Sequence, residues 1–233
     1  MPQTLTTIGF DADDTLWHTE RLFRLTQERF AELLADFTEP AHLHERLLEA
    51  ERRNVGHYGF GVKGFVLSMI ETAIEVTDEK VPASVIAELM ACGRDMLAHP
   101  IDLLPDVADV VGGLSDTHRL ILITKGDLLD QERKLAQSGL GELFSWVEIV
   151  SHKTEQVYAE TFARHADGPA QAMMVGDSMK SDILPALAAG SWAVHVPNGP
   201  AWALEQAEMP KNNARFVALS QLSDLPEVIN NIK

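Results

Sequence analysis

The chain has a single cysteine, Cys92, so no disulfide can close within it, and that usage fits a reducing compartment. Cys92 lies in a helical pattern without a nearby histidine and reads as a packing residue, not a nucleophile. Basic residues are scarce: 19 Lys and Arg stand against 35 Asp and Glu, a net charge of −16. That balance excludes a nucleic-acid footprint, which needs clustered Lys and Arg, and equally an anionic membrane surface. No apolar run approaches the roughly 18 residues of a membrane helix. The first ten residues, MPQTLTTIGF, lack the basic start and apolar stretch of a secretion signal. Internal repeats and low-complexity segments are also missing. These absences predict a cytoplasmic protein with neither nucleic acid nor membrane as partner. What is plentiful is apolar material: 45% of 233 residues, enough for a packed core.

Short apolar runs recur along the chain. TIGFD (7–11), LILIT (120–124), WVEIV (146–150), AMMVGD (172–177), AVHV (193–196) and FVALS (216–220) read as buried strands. Those after residue 119 alternate with segments of helical length. DLLDQERKLAQSGL places Leu128, Leu135 and Ala136 on one face and stops at Gly139, and DILPALAAG tolerates Pro185 near its start and ends at Gly190. The pattern predicts an α/β fold, a Rossmann-like, mostly parallel sheet covered on both faces. Residues 18–98 differ. Leu22, Leu25, Phe30, Leu33 and Phe37 recur at near-helical spacing, and further helical stretches cover 42–53, 63–76 and 83–97, with no strand among them. The expected organisation is therefore an α/β core of 1–17 and 99–233, interrupted by an all-helical cap at 18–98. Inside the cap, GHYGFGVKG (56–64) reads as an irregular loop, its four glycines marking special backbone angles or a close approach.

The first strand ends in GFDADDTLWHTE, with Asp11, Asp13 and Asp14 within four positions. Acids this close repel one another, and burying a carboxylate is costly. Either the stretch is a solvated turn or something positive sits beside it. Ligands of doubly wound sheets bind at the carboxyl ends of strands. The other strand ends here carry Thr124-Lys125-Gly126-Asp127, Ser151-His152-Lys153 and Asp177 with Asp182 beyond it. Acids, a hydroxyl and a lysine would meet at one edge. Oxygen ligands of this kind suit a hard divalent cation such as Mg²⁺, which would offset the repulsion.

DADDT, LILIT, Lys153 and VGDSMKSDI, in that order, resemble the four motifs of the haloacid dehalogenase superfamily, whose phosphatases open with D-x-D-x-T. The resemblance covers the whole chain, including a helical cap between the first and second motifs. It implies a magnesium-dependent phosphatase for a small phosphorylated metabolite, working through an aspartyl-phosphate. It implies Asp11 as nucleophile and Asp13 as general acid and then base. It further implies Thr124 on a phosphoryl oxygen, Lys153 as charge neutraliser, and Mg²⁺ on Asp11, Asp177 and the Asp13 carbonyl, with Asp182 in support. Asp13 favours phosphate esters, because the dehalogenase branch lacks an acid there. Two other outcomes stay open: a phosphotransferase or phosphoglucomutase-like isomerase with the same motifs, and a non-catalytic phosphate-binding protein of the same fold.

Three departures from the family pattern stand out. Asp14 replaces a frequent glycine. Lys125 takes the place of a frequent asparagine and is either a loop lysine or added charge near the phosphate. Thr154 follows Lys153 where proline is usual, which leaves Lys180 as the alternative to Lys153. His18 and Trp17 either line the site or pack the hinge to the cap. Tyr58 and Lys63 are candidate substrate contacts from the 56–64 loop.

Overall fold

The structure, a computed structural model, describes residues 4–232. The chain divides into two compact units: Met1–Thr19, Ile101–Lys125 and Gln131–Lys233 form one, and Glu20–Pro100 with Gly126–Asp130 form the other.

The first unit is built on six parallel strands: β1 (Thr7–Phe10), β2 (Arg119–Lys125), β3 (Trp146–Val150), β4 (Ala172–Gly176), β5 (Trp192–His195) and β6 (Phe216–Ala218). Their spatial order is β3-β2-β1-β4-β5-β6. The chain grows outward from β1 on one side, then returns to start β4 on the other. The switch point therefore lies between β1 and β4, where open α/β sheets bind ligands.

Alternation along the strands sends neighbouring side chains to opposite faces. Ile8, Phe10, Leu120, Leu122, Met173 and Val175 pack on one face. Ile121, Ile123, Ala172, Met174 and Ala193 pack on the other, with Tyr158 and Phe162 of a covering helix. Burying both faces explains why the central strands read as continuous apolar runs rather than alternating ones. WVEIV departs from the expectation of a buried strand. β3 is an edge strand, and Trp146 is 52% exposed. It has a neighbour on one side only, so its apolar run covers part of the surface.

The second unit is helical: α1 (Glu20–Leu33), α2 (Pro40–Tyr58), α3 (Val62–Val76) and α4 (Ala83–Ala98). Phe30, Leu34, Leu43, Leu47, Met69 and Leu89 form a core of their own. The irregular loop expected over 56–64 is shorter than the sequence suggests. α2 runs to Tyr58 and α3 starts at Val62, leaving three residues between them. Gly59 and Gly61 take φ of 75° and 108°, angles that side chains rarely adopt, and so make this tight turn.

The remaining helices of the first unit are α5 (Val107–Ser115), α6 (Leu128–Ser138), α7 (Glu155–His165), α8 (Leu184–Ala188) and α9 (Leu225–Asn231), with the first residues of α6 grouped in the helical unit. α6 reverses the expected pattern. Leu128 and Leu129 are 59% and 70% exposed, whereas Asp130, Gln131 and Lys134 are buried. Of the expected apolar face, Leu135 packs against the core but Leu128 is exposed, and the helix buries a polar face instead. Among the described residues, no helix is long and apolar enough to cross a membrane.

Candidate active site

Asp11 follows β1 directly and its backbone N–H donates to Val175 O at 2.9 Å, which ties the loop to β4. The chain then leaves strand geometry. Thr15 and Leu16 N–H groups donate back to Ala12 O at 3.3 and 2.8 Å, closing a turn. Asp14 sits in that turn with φ of 59°. The left-handed region favours glycine and tolerates aspartate, which accounts for the residue found there.

Asp11, Asp177 and Asp182 come together, with carboxylate oxygens all within 4.8 Å of one another. The lysine among them is Lys153, whose ammonium donates to Asp11 and, at 2.7 Å, to Asp182 Oδ1. Lys153 is brought there by the turn after β3, where Thr154 caps α7 by accepting from Val157 N–H at 3.3 Å. A capping threonine thus replaces the usual proline. Lys180, the alternative lysine, points instead to Leu204 O. Asp182 is held from behind: its Oδ2 accepts from Ser178 N–H at 2.9 Å, and a Cβ on Gly176 would collide with this carboxylate. A glycine is therefore required where β4 ends. Asp177 is placed by Thr15, whose Oγ1 accepts from Asp177 N–H at 3.1 Å. Thr124 is fully buried at the C-terminal end of β2.

The electrostatics follow from these neighbours. Burial, reinforced by Asp182 and only partly opposed by Lys153, raises the Asp11 carboxyl to about 7. Burial and the Asp11 and Asp182 charges push Asp177 well above the usual carboxylate range. Lys153 is shifted upward despite burial, because Asp11 and Asp182 hold its proton. Three carboxylates against one ammonium leave a net deficit of two positive charges. An oxygen-only donor set with that deficit fits a hard divalent cation such as Mg²⁺. Asp11, Asp177 and Asp182 are the side chains that could hold one; the part expected of Asp13 is that of its backbone carbonyl, which this set of carboxylates leaves open.

The Asp13 side chain engages a second group of residues. Its Oδ1 accepts from Trp17 Nε1 at 2.8 Å, Thr19 Oγ1 at 2.7 Å and Lys134 Nζ at 2.9 Å, and its Oδ2 accepts from Gln131 Nε2 at 2.8 Å and Lys134 Nζ at 3.1 Å. Burial would raise its pKa, but Lys134 and the neutral donors outweigh that and bring it down to about 2. Gln131 and Lys134 went unnoticed in the sequence. The available signal was a helix with polar residues at i and i+3, and it is legible only once α6 is known to face Asp13. Trp17, one of the two hinge candidates, is fully buried.

The other candidates are engaged differently. Lys125 pairs with Glu205 and donates to Ser181 Oγ at 2.8 Å. His18 donates its backbone N–H to Asp102 O. In the helical unit, Tyr58 donates to Glu71 at 2.9 Å and Lys63 pairs with Asp127 at 2.8 Å.

The acid cluster thus sits at the carboxyl ends of the strands, beside the switch point of the parallel sheet. A family profile for haloacid dehalogenase-like hydrolases matches residues 5–190, and the chain belongs to that family. A haloacid dehalogenase-like hydrolase from Xanthomonas campestris is 35% identical, with a TM-score of 0.88 over 99% of this chain and 92% of that one. A magnesium-bound member from Bacillus subtilis shares the fold, with 16% identity and a TM-score of 0.69 over 97% of this chain and 99% of that one. Among characterised proteins, the glyceraldehyde 3-phosphate phosphatase of Methanothermobacter thermautotrophicus is 23% identical over 97% of this chain and all of its own length.

Proposed function

We propose that this hydrolase is a magnesium-dependent phosphatase acting on a small phosphorylated metabolite through an aspartyl-phosphate. The observation that carries this reading is the separation of two carboxylates: Asp11 lies beside Lys153 in the acid cluster, while Asp13 is anchored by its own donors. A nucleophile and a proton-transfer group are what ester hydrolysis in two steps demands. The similarity to a phosphatase over the full length supports the substrate class.

In this reading an Asp11 oxygen attacks phosphorus, the ester P–O bond breaks, and Asp13 gives a proton to the departing alkoxide. Water then attacks the aspartyl-phosphate, loses a proton to Asp13, and the P–O bond to Asp11 breaks. Inorganic phosphate leaves and the Asp11 carboxylate is restored. Lys153 neutralises charge on Asp11 and the phosphoryl group, and Thr124 donates to a phosphoryl oxygen. Mg²⁺, held by Asp11 and Asp177 with the Asp13 carbonyl and supported by Asp182, would supply the electrostatic stabilisation that phosphoryl transfer chiefly needs. Substrate choice is assigned to the helical unit, with Tyr58 and Lys63 as first candidates.

A panel of small phosphate esters, glyceraldehyde 3-phosphate among them, assayed for inorganic phosphate with Mg²⁺ present, tests this reading. Release from at least one ester is expected. Transfer of the phosphoryl group to a sugar without free phosphate would favour a phosphotransferase, and no turnover at all would favour a binding protein.

A further inference from the structure

The donors around Asp13 are more numerous than anchoring a turn requires. A carboxylate offers about four lone-pair directions over its two oxygens. Here Oδ1 takes three donors, from Trp17, Thr19 and Lys134, and Oδ2 takes two, from Gln131 and the longer arm of Lys134. Every lone pair is engaged, so neither oxygen can take or hold a proton without releasing a donor. The cheapest release is the 3.1 Å arm of Lys134 on Oδ2, because that ammonium keeps its shorter bond to Oδ1.

The helix that supplies Lys134 and Gln131 is organised around this contact. Gln131 and Lys134 are only 3% and 8% exposed, one turn apart on α6, while Leu128 and Leu129 of the same helix face water. Burying an amide and an ammonium in place of leucines is unfavourable unless the groups are needed. Gln131 adds an independent sign: its Oε1 is buried without a hydrogen-bond partner among the described residues. Such a group normally has an explanation, and a water or ligand absent from the structure is a common one. With its Nε2 on Asp13, the free acceptor lies on the same amide, next to the oxygen that must exchange a proton.

Resting on the phosphatase reading, we propose that Lys134 and Gln131 are positioning residues for Asp13: Lys134 with Trp17 and Thr19 fixes Oδ1 as the anchor, and Gln131 presents Oδ2 as the oxygen that exchanges the proton. The Gln131 Oε1 then accepts one hydrogen of the attacking water in the second step, while the other passes to Oδ2; in the first step the ester oxygen has no hydrogen to give it. In the second step water forms its bond to phosphorus, its proton passes to Asp13 Oδ2, and the P–O bond to Asp11 breaks.

The two steps respond differently to a misplaced Asp13, and this separates the role from a structural one. An aryl phosphate such as p-nitrophenyl phosphate has a good leaving group and needs little acid assistance, whereas dephosphorylation of Asp11 still needs a base. Lys134→Met is therefore expected to lower kcat on p-nitrophenyl phosphate about 100-fold, within the usual range for a proton-transfer group. KM should change little, and a burst of nitrophenol close to one equivalent of enzyme should appear before steady state. Lys134→Arg should recover most of the rate. Lys134→Gln, which keeps length and a donor, guards against misfolding of the methionine variant. Gln131→Leu should give a smaller loss of the same kind. In a double-mutant cycle, adding Lys134→Met to Asp13→Asn should cost little further, because both act through one group. A Lys134→Met enzyme with wild-type kcat, or a double variant in which the two losses multiply in full, overturns the role while leaving a phosphatase standing. A wild type that releases no phosphate from any ester overturns the phosphatase reading and this role with it.

Discussion

Asp11 faces two other carboxylates, one buried and one half-buried, and shares one lysine with Asp182, whereas Asp13, two residues along, is held by a lysine and three neutral donors. The first is driven up to about 7 and the second down to about 2. In an unbroken strand, residues two apart point the same way. These two part company because β1 stops at Phe10 and the chain turns back on Ala12 O. A repeated letter in a motif thus says little about shared chemistry. The turn between the letters decides it, by giving one acid to the sheet's switch point and the other to α6.

The comparison breaks most visibly at Asp11. Asp11→Asn should abolish phosphate release, a fall of at least ~10⁴-fold of the kind seen when a nucleophile is removed. It should do so without destabilising the metal-free protein, since one of three mutually repelling carboxylates is gone. Phosphate assays and thermal unfolding in chelator measure both halves. Near-wild-type turnover would remove Asp11 from the nucleophile role, and a strongly lowered unfolding midpoint would contradict the repulsion.

Removing the cation tests the same side of the comparison. Exhaustive chelation should silence the enzyme, and added Mg²⁺ should restore it. Mg²⁺ at a hundred times its dissociation constant should stabilise the wild type by about 2.7 kcal/mol. Asp11→Asn should lose most of that gain, while Asp13→Asn, which keeps its backbone carbonyl, should retain it. Full activity in chelator, or an equal gain in both variants, would place the cation elsewhere.

Asp13→Asn sharpens the contrast from the other side. Its kcat should fall about 10²- to 10⁴-fold, as expected for a proton-transfer group. Unlike Asp11→Asn it should also cost stability, about 2–3 kcal/mol, because Lys134 loses the carboxylate it pairs with. Urea unfolding at neutral pH measures this. An Asp13 variant as stable as wild type would mean that Lys134 finds another partner at no cost.

Much of this was legible in the sequence, for identifiable reasons. The strands next to the sheet centre announce themselves because burial on both faces turns them into apolar runs; Asp11 and Asp177 come directly after β1 and β4, Thr124 lies near the end of β2, and Lys153 stands three residues past the edge strand β3. Lys153 reaches the acid cluster without the usual proline after it, because threonine caps the following helix as well. What stayed hidden depends on packing between elements distant in sequence. Lys134 lies 121 residues from Asp13, and nothing local marks an ammonium as turned inward. Lys125 reads from its position as either a loop lysine or added charge near the phosphate, and its pairing with Glu205, eighty residues on, has no local signal. WVEIV looked buried because composition does not distinguish an edge strand from a central one.

The smallest expected effect is the dependence of stability on pH, and it contains both acids at once. Take the protein in chelator. Asp11 ionises near 3.8 when unfolded and near 7 when folded. Between those values the folded state holds a proton that the unfolded state has released, so stability falls as pH rises through this window. Asp177, shifted in the same direction, adds to the fall. Asp13 behaves oppositely: it ionises near 3.8 unfolded and near 2 folded, so its contribution is complete above pH 4 and is lost as pH drops toward 2. Each proton contributes a slope of at most about 1.4 kcal/mol per pH unit. The difference between wild type and Asp11→Asn should therefore open between pH 4 and 7, and that between wild type and Asp13→Asn should close below pH 4. Mg²⁺ should flatten the first difference, because the cation takes the place of the proton, and leave the second unchanged. Denaturant titrations from pH 2.5 to 8 measure both. If the two variants shift stability in the same pH window, the two carboxylates share one environment and the division drawn here between the cluster and the α6 clamp fails.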